Sequence, residues 1–318
     1  MNRIIDEYGR TFKTLRVSLL NRCNLGCIYC TSGDEPVNST NTSQKKSSAK
    51  KILSNIAKLH ALLQLETIRL TGGEPLLYTD LIKVIEGVKA IGISNIKLTT
   101  NGFLLEKMAT PMRNAGMRSI NVSLDAVDED VYFLMSKRNN VQRIMNGIDA
   151  AIEAGLAVKI NAVIMKGIND SQVLPLLEYA FSKHLRIRFL EVMAMGHLHQ
   201  SANRYLFSQK EILELIASRY SFEELPRTSS STSEYWRTSA GNTFGIIANE
   251  SEPFCHDCNR LRLDSDGNIF GCLSNNHPIS LSGIDQSDQL VEKLKEALSQ
   301  KQAVKFVGSE LSMLDIGG

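Results

Sequence analysis

The six cysteines of the chain carry its clearest chemical signal, because they form two groups of three with none left over. They are Cys23, Cys27, Cys30, Cys255, Cys258 and Cys272. Close spacing within each group is typical of metal or cluster ligation. Closed structural zinc sites usually take four ligands. Three thiolates instead suit a [4Fe–4S] cluster with one iron left open for a further ligand.

The spacing alone leaves other interpretations open. The first group also fits a zinc site completed by a distant histidine, or a set of buried reduced thiols. Cys-x2-Cys pairs are most often zinc sites, and His256 or His277 could complete the second group. A non-enzymatic zinc-binding module is therefore an alternative for the whole chain.

Alternating strand-like and helix-like runs between residues 13 and 190 must position the first group. The predicted strands are 15–20, 67–71, 95–99, 119–124, 158–163 and 186–190. The predicted helices are 51–65, 80–91, 104–115, 141–154 and 171–182, with further helices at 209–218 and 290–299. This alternation predicts parallel strands with crossover helices, in an open sheet or a partial barrel.

Polar and glycine-rich motifs follow these strands where the strands end. The first cysteines follow strand one, Gly72-Gly73-Glu74-Pro75 ends strand two and residues 99–102 end strand three. Ligands bind at the carboxyl ends of parallel strands in both fold types. Asp266-Gly267 predicts a hairpin that returns Cys272 toward the second Cys-x2-Cys pair.

Composition sets limits on the class of protein. The chain has 318 residues, 43% hydrophobic and 22% charged, with a net charge of +2. So small a charge argues against a nucleic-acid or membrane-surface binder. Acidic residues stand where a signal peptide would have its apolar stretch, so we expect a cytoplasmic protein without structural disulfides.

The cysteine spacing and the Gly-Gly-Glu-Pro motif resemble those of the radical S-adenosylmethionine (SAM) superfamily. Longer motifs resemble one family within it, the GTP 3',8-cyclases of molybdenum cofactor biosynthesis. These motifs are residues 15–18, 68–75, 99–102, 122–125, 166–170, 253–263 and 316–318. The resemblance covers nearly the whole chain.

The resemblance implies an α/β fold: a partial (β/α)6 TIM-like barrel of the radical SAM type at residues 1–195. Residues 196–318 would form a C-terminal region that carries the second cluster and a Gly-Gly tail. The implied cofactors are two [4Fe–4S] clusters, each held by one cysteine group, and SAM.

The resemblance also implies roles for particular residues. SAM would contact the backbone near Tyr29, then Gly73, Ser123 and Met193. GTP would bind between the clusters, and the residues implied for it are Arg16, Arg69, Thr100, Lys159, Arg188, Arg260, Leu261 and Arg262. The residues implied in catalysis are Arg260, Arg262, Gly317 and Gly318. Arginine forks suit a triphosphate because they stay charged and donate two hydrogen bonds each.

The implied reaction begins when a 5'-deoxyadenosyl radical takes hydrogen from C3' of GTP. The C3' radical attacks C8, and the cyclised radical is reduced by an electron passing through the second cluster. The implied partners are GTP, an electron donor, cyclic pyranopterin monophosphate synthase (MoaC) as recipient of the product, and a second copy of the chain in a homodimer. No nucleic acid or membrane is implied.

Departures from the family pattern occur at Leu20-Asn21, at Thr31-Ser32 and at Thr67, where many members carry lysine. A rival within the superfamily is another enzyme with an auxiliary cluster, such as a peptide modifier, but those usually carry more than three additional cysteines. The polar segments 38–46 and 227–233 are predicted to be poorly ordered loops.

Overall fold

A computed structural model gives the fold of the chain and describes residues 4–31 and 47–317. The predicted loop at 38–46, Ser32 and Gly318 lie outside the described residues. None of the helices in the described ranges is long and apolar enough to span a membrane.

Six strands alternate with helices in the first part of the chain, which confirms the predicted alternation. The strands are β1 (Thr14–Ser18), β2 (Thr67–Thr71), β3 (Asn95–Thr100), β4 (Ser119–Ser123), β5 (Ala157–Ile164) and β6 (Arg186–Glu191). The helices are α1 (Ala49–Leu63), α2 (Leu81–Ala90), α3 (Leu105–Ala115), α4 (Glu129–Ser136), α5 (Val141–Glu153) and α6 (Val173–Ser182). Helix α4 was not predicted, because it is short and directly precedes α5.

The C-terminal part contains more strands than the sequence suggested. Its elements are α7 (Gln209–Ala217), β7 (Phe222–Leu225), β8 (Glu234–Thr238), β9 (Thr243–Ile247), β10 (Arg260–Leu263), β11 (Asn268–Phe270), β12 (Ile279–Ser280), α8 (Ser287–Ser299) and α9 (Met313–Ile316). The predicted hairpin is confirmed between β10 and β11. A carboxylate oxygen of Asp264 accepts the backbone N–H groups of residues 266, 267 and 268 there, and Gly267 has a φ of +93°, which favours glycine.

One sheet runs through both parts of the chain, in the order β12-β11-β10-β1-β2-β3-β4-β5-β6-β9-β8-β7. The strands from β10 through β1–β6 to β9 are parallel, and the pairs at each end are antiparallel. The barrel strands therefore continue on both sides into strands of the C-terminal part. The division at residue 195 stays a prediction.

The two faces of the parallel strands differ in chemistry because side chains alternate along a strand. Leu15 and Val17 on β1, and Ile68 and Leu70 on β2, are fully buried in one apolar cluster with the helices. The intervening residues, such as Arg16 and Arg69, line a cavity on the inner face. The core thus lies between sheet and helices, and the inner face holds the polar site.

Candidate active site

Both cysteine groups line a single cavity of about 760 Å³ on the inner face of the sheet. Most residues that the resemblance implied for SAM and GTP line it as well: Arg16, Tyr29, Arg69, Gly73, Thr100, Ser123, Lys159, Arg188, Met193, Arg260 and Arg262. Residues far apart in sequence are therefore brought into one chamber by the parallel sheet.

The loop with the first cysteine group is anchored by α4. The backbone N–H groups of Gly26 and Ile28 donate to the carbonyls of Ser136 (2.9 Å) and Met135 (2.9 Å) at the end of α4. Asn101, which follows β3, donates from its side chain to the Asn24 side chain at 2.9 Å. The loop is thus held by backbone and amide groups, which leaves its three thiols facing the cavity.

The Gly-Gly-Glu-Pro motif packs directly against the chain that leads into this loop. Gly73 N–H donates to the Leu20 carbonyl at 2.7 Å. A Cβ added at Gly73 would lie 2.3 Å from the Arg22 carbonyl oxygen, a distance that no side chain tolerates. Glycine is therefore required here so that the motif can sit beside Cys23.

Glu74 is buried and fully hydrogen-bonded beside the first cysteine group. Its carboxylate accepts from Thr100 Oγ1 (2.6 Å), Asn101 N (2.7 Å) and Leu76 N (2.9 Å). Burial raises the pKa of Glu74 to about 7, although these hydrogen bonds act to lower it. The Thr100 hydroxyl, implied as a neighbour of GTP, donates to Glu74 and accepts from Gly102 N at 3.0 Å. The Thr100 hydroxyl therefore orients Glu74.

Tyr29 is fixed by a carboxylate at the end of β4. Its hydroxyl donates to Asp125 Oδ2 at 2.9 Å, and Asp125 Oδ1 accepts from Val163 N at 2.8 Å. Burial raises the pKa of Asp125 to about 6. This bond holds the Tyr29 side chain in place, and Tyr29 lines the cavity.

Four cations stand side by side across four neighbouring strands. We call them the cation belt: Arg262, Arg16, Arg69 and Lys97. Their register pairs Arg262 with Arg16, Arg16 with Arg69, and Arg69 with Lys97. Like charges directly opposite one another destabilise a sheet. Such a row is therefore an arrangement that an anionic ligand would stabilise.

The pKa values of the belt show mainly the cost of burying these charges, with a smaller part from repulsion by nearby cations. Burial, followed by the neighbouring arginines, lowers the pKa of Arg69 and that of Arg262 to about 10, and it lowers the pKa of Arg16 well below its usual range. Three buried nitrogens have no hydrogen-bond partner among the described residues: Nε of Arg16, and Nε and Nη2 of Arg188. Buried donors of this kind need an acceptor.

Lys159 extends the positive charge to the far side of the cavity. Burial and the charges of Arg188, Arg186 and Arg69 lower its pKa to about 8. Lys97 was missed by the sequence analysis, although its place on the inward face of β3 follows from strand alternation. Lys97 lines the cavity. It lies on β3 two residues after Asn95, the residue that pairs with Thr67 on β2.

The second cysteine group flanks the β10–β11 hairpin. Cys255 and Cys258 precede β10, and Cys272 follows β11, so all three line the cavity. His256 and His277 are not among the lining residues. Within residues 4–31 and 47–317, no three His, Cys, Asp or Glu side chains are placed to hold a single metal ion.

The serine-rich segment 227–233 forms one wall of the cavity and is anchored. Both terminal nitrogens of Arg227 donate to the carboxylate of Asp257, at 2.8 and 2.9 Å. Asp257 lies between Cys255 and Cys258 in the sequence. Ser230 N also donates to Asp257 at 2.7 Å. The segment is a loop, as predicted, and it is tied to the second cysteine group by an ion pair with a distant residue that composition does not show; its predicted poor order stays a prediction.

The C-terminal tail enters the site through Gly317, whose carbonyl accepts a hydrogen bond from Arg262 Nη1. Gly317 has a φ of +87°, and a Cβ there would lie 2.5 Å from Ser18 Cβ. Gly318 lies outside the described residues. Leu261 is the exception among the implied GTP contacts: it is fully buried in the core, since it alternates with Arg260 and Arg262, and it does not line the cavity.

Comparison with known proteins agrees with this geometry. Residues 17–180 match the radical SAM superfamily, and residues 185–307 match the family described as Molybdenum Cofactor Synthesis C. A GTP 3',8-cyclase of Staphylococcus epidermidis is 38% identical over 282 residues, which cover 85% of this chain and 81% of the relative. One from Staphylococcus aureus is 39% identical over 285 residues, covering 86% and 82%.

Solved structures share the fold at low sequence identity. Streptococcus suis SuiB bound to its precursor peptide SuiA superposes with a TM-score of 0.68 at 14% identity, covering 92% of this chain and 67% of SuiB. The structure of anSMEcpe with bound AdoMet gives 0.61 at 15% identity, covering 89% and 82%. Family matches, relatives and fold agree, and the chain belongs to the radical SAM superfamily and, within it, to the GTP 3',8-cyclase family.

Proposed function

We propose that this chain is a GTP 3',8-cyclase, which converts GTP to (8S)-3',8-cyclo-7,8-dihydroguanosine 5'-triphosphate in the first step of molybdenum cofactor biosynthesis. The observation that carries the proposal is the single cavity lined by both cysteine groups and the cation belt. The family relationship supports the same activity.

The residues of the chain fit two [4Fe–4S] clusters and SAM, the cofactors of this family. Cys23, Cys27 and Cys30 would hold one cluster, and Cys255, Cys258 and Cys272 would hold the other. When bound, the first cluster and SAM supply a 5'-deoxyadenosyl radical. SAM would lie against the close-packed backbone at Gly73 and between Tyr29, Ser123 and Met193, which line the same cavity. Glu74 and Thr100 hold that backbone in place by their hydrogen bond.

Arg16, Arg69 and Lys97 of the cation belt, with Lys159 and Arg188, would bind the triphosphate of GTP. A triphosphate carries several negative charges, and closing it off from water requires charged partners. The unpartnered nitrogens of Arg16 and Arg188 offer such partners without disrupting an existing bond. This contact fixes one end of the nucleotide and directs the ribose toward SAM.

Arg260 and Arg262 would position the other end of GTP beside the second cluster. Arg260 stacks on Phe254 at 5.3 Å from the ring centre, and Arg262 holds the Gly317 carbonyl. The tail with Gly317 and Gly318 would thereby close the reacting part of the cavity. Positioning and exclusion of water are the work of the protein, because the cofactors carry the radical chemistry.

Four further points belong to this proposal. The product would pass to cyclic pyranopterin monophosphate synthase (MoaC), an electron donor would reduce the clusters, the chain would act as a homodimer, and it would work in the cytoplasm. They are supported by the family relationship alone.

The proposal is tested with anaerobically reconstituted protein, reductant and SAM, with and without GTP. Mass spectrometry quantifies 5'-deoxyadenosine and the cyclised nucleotide. We expect both products in equal amounts, only with GTP, and neither product from a Cys23→Ala/Cys27→Ala/Cys30→Ala variant. Deoxyadenosine without cyclised nucleotide would refute the claim that GTP is the substrate and would point to another radical SAM reaction. Neither product from protein with two intact clusters would refute the activity.

A further inference from the structure

Lys301 is a buried lysine that none of the roles described so far uses. It follows the end of α8, and its backbone N–H donates to the Leu298 carbonyl at 3.1 Å. The residue is only 5% exposed, and its ammonium lies 5.0 Å from the centre of the Phe12 ring. Burying a lysine is costly unless its charge and donors are satisfied, so its partners indicate why it is there.

All three partners of the ammonium belong to the chain that carries the second cysteine group. Nζ donates to Cys258 Sγ (3.4 Å), to the Arg260 carbonyl (2.9 Å) and to the Gly271 carbonyl (2.8 Å). Arg260 follows Cys258 by two residues, and Gly271 directly precedes Cys272. One side chain therefore ties the two arms of the cysteine group to each other.

Helix α8, which directly precedes Lys301 in the chain, is pressed against the same place. A Cβ added at Gly271 would lie 1.7 Å from the Ala297 carbonyl oxygen, so the end of α8 touches the hairpin backbone directly. Close contact leaves Lys301 little freedom to place its ammonium elsewhere. The position of the charge is thus set by the packing of α8 against Gly271.

The first cysteine group has a different environment. Cys23 Sγ accepts from Leu25 N (3.4 Å) and from the Asn101 side chain (3.6 Å), both neutral donors. In the part of the chain that the structure describes, a charged donor to a cysteine sulfur is found at Cys258. Hydrogen bonds and charge at the sulfurs set the reduction potential of a cluster.

We propose that Lys301 is a positioning residue for the second cluster: it holds the Cys258 and Cys272 arms at a fixed separation, and its charge makes that cluster easier to reduce than it would be without it. The inference rests on the proposed function, since it takes the second cysteine group as a cluster site. A positive charge beside a thiolate stabilises the extra electron of the reduced cluster, so the midpoint potential rises.

Two substitutions separate the two parts of this role. Lys301→Gln keeps a hydrogen-bond donor and removes the charge, whereas Lys301→Met removes both. Lys293→Met is the matched control, because Lys293 lies on the preceding helix α8, is about half exposed and pairs with Glu296 at 2.8 Å. None of these residues is expected to contact SAM or GTP.

Two quantities are measured on the reconstituted enzyme. One is the iron content per chain, and the other is the midpoint potential of each cluster, obtained from a redox titration monitored by electron paramagnetic resonance. The Cys23→Ala/Cys27→Ala/Cys30→Ala variant identifies the signal of the second cluster. We expect Lys301→Gln to shift the midpoint of the second cluster to a more negative potential with the first unchanged, and Lys301→Met to lose iron from the second cluster as well.

Loss of the second cluster from both variants, with Lys293→Met intact, would support the positioning role. The inference is overturned if Lys301→Gln keeps the wild-type midpoint and Lys301→Met keeps its full iron. A wild-type enzyme that binds no second cluster is a distinct result, because it refutes the proposed function before any variant is compared.

Discussion

Replacing Arg69 with methionine tests the idea that the cation belt is strained until an anion binds. The pKa of Arg69 falls from 12.5 to about 10, with burial as the main cause and Arg188 and Arg260 as further ones. Each pKa unit corresponds to about 1.4 kcal/mol, so keeping Arg69 charged in the substrate-free fold costs about 3 kcal/mol. This cost is fully present below pH 10 and disappears only as the pH rises from 10 through 12.5.

Arg69→Met is therefore expected to raise the melting temperature of the enzyme without GTP and to weaken GTP binding. A hydrogen bond to a charged group contributes about 1.5–3 kcal/mol, which corresponds to a roughly 10- to 150-fold increase in Kd. Both quantities are measured on anaerobically reconstituted protein, by thermal unfolding and by titration calorimetry. Stabilisation by saturating GTP shrinks accordingly.

The control is Arg118→Met, since Arg118 is exposed and lies outside the cavity, just before β4. It should change neither the melting temperature nor the Kd to a comparable degree. An Arg69→Met enzyme that is less stable without GTP would show that the belt is not strained. One that binds GTP as tightly as the wild type would show that Arg69 does not meet the substrate.

Four further changes test other parts of the site. Gly73→Ala places a Cβ 2.3 Å from the Arg22 carbonyl oxygen, and we expect SAM affinity to fall at least about tenfold in equilibrium binding; unchanged affinity would contradict the role of close packing. Asp257→Asn weakens both bonds to Arg227 and should raise the KM for GTP more than it lowers kcat, with iron content checked in parallel. Deleting Gly317 and Gly318 should abolish the cyclised nucleotide while both clusters are retained, so full activity would exclude a catalytic tail. Burial raises the pKa of Glu74 from 4.5 to about 7; the folded chain therefore gains stability as the pH falls from about 7 toward 4.5, and Glu74→Gln should flatten that dependence in urea unfolding.

The sequence predicted the barrel strands well because their signals are local. The bounds of β2 were predicted correctly, and those of β1 and β5 differ by one or two residues. Each strand is short, apolar on one face and followed by an amphipathic helix, so its pattern is complete within a few residues. The C-terminal strands β7–β9 lack following helices and were missed.

Prediction of the site was limited by register and by long-range contacts. Gly73 and the six cysteines could be found because motifs mark them. Lys97 and Lys301 have no motif. The inward face of Lys97 follows from strand alternation, but its place beside Arg69 depends on the register of β3 with β2, and the place of Lys301 depends on the packing of α8 against Gly271. Strand alternation also explains Leu261, which shares a motif with two arginines but faces the core.

The pairing of β1 with β10 and of β6 with β9 has a consequence for how the chain folds during synthesis. Residues 14–17 find their outer partners only when residues 260–263 have been made, and residues 187–190 wait for residues 244–247. Until then both edges of the nascent six-stranded sheet are unpaired, and open edges recruit other strands. Contacts this distant in sequence also form slowly. A chain stopped near residue 195 is therefore expected to aggregate, and folding is completed only when the C-terminal part closes both edges.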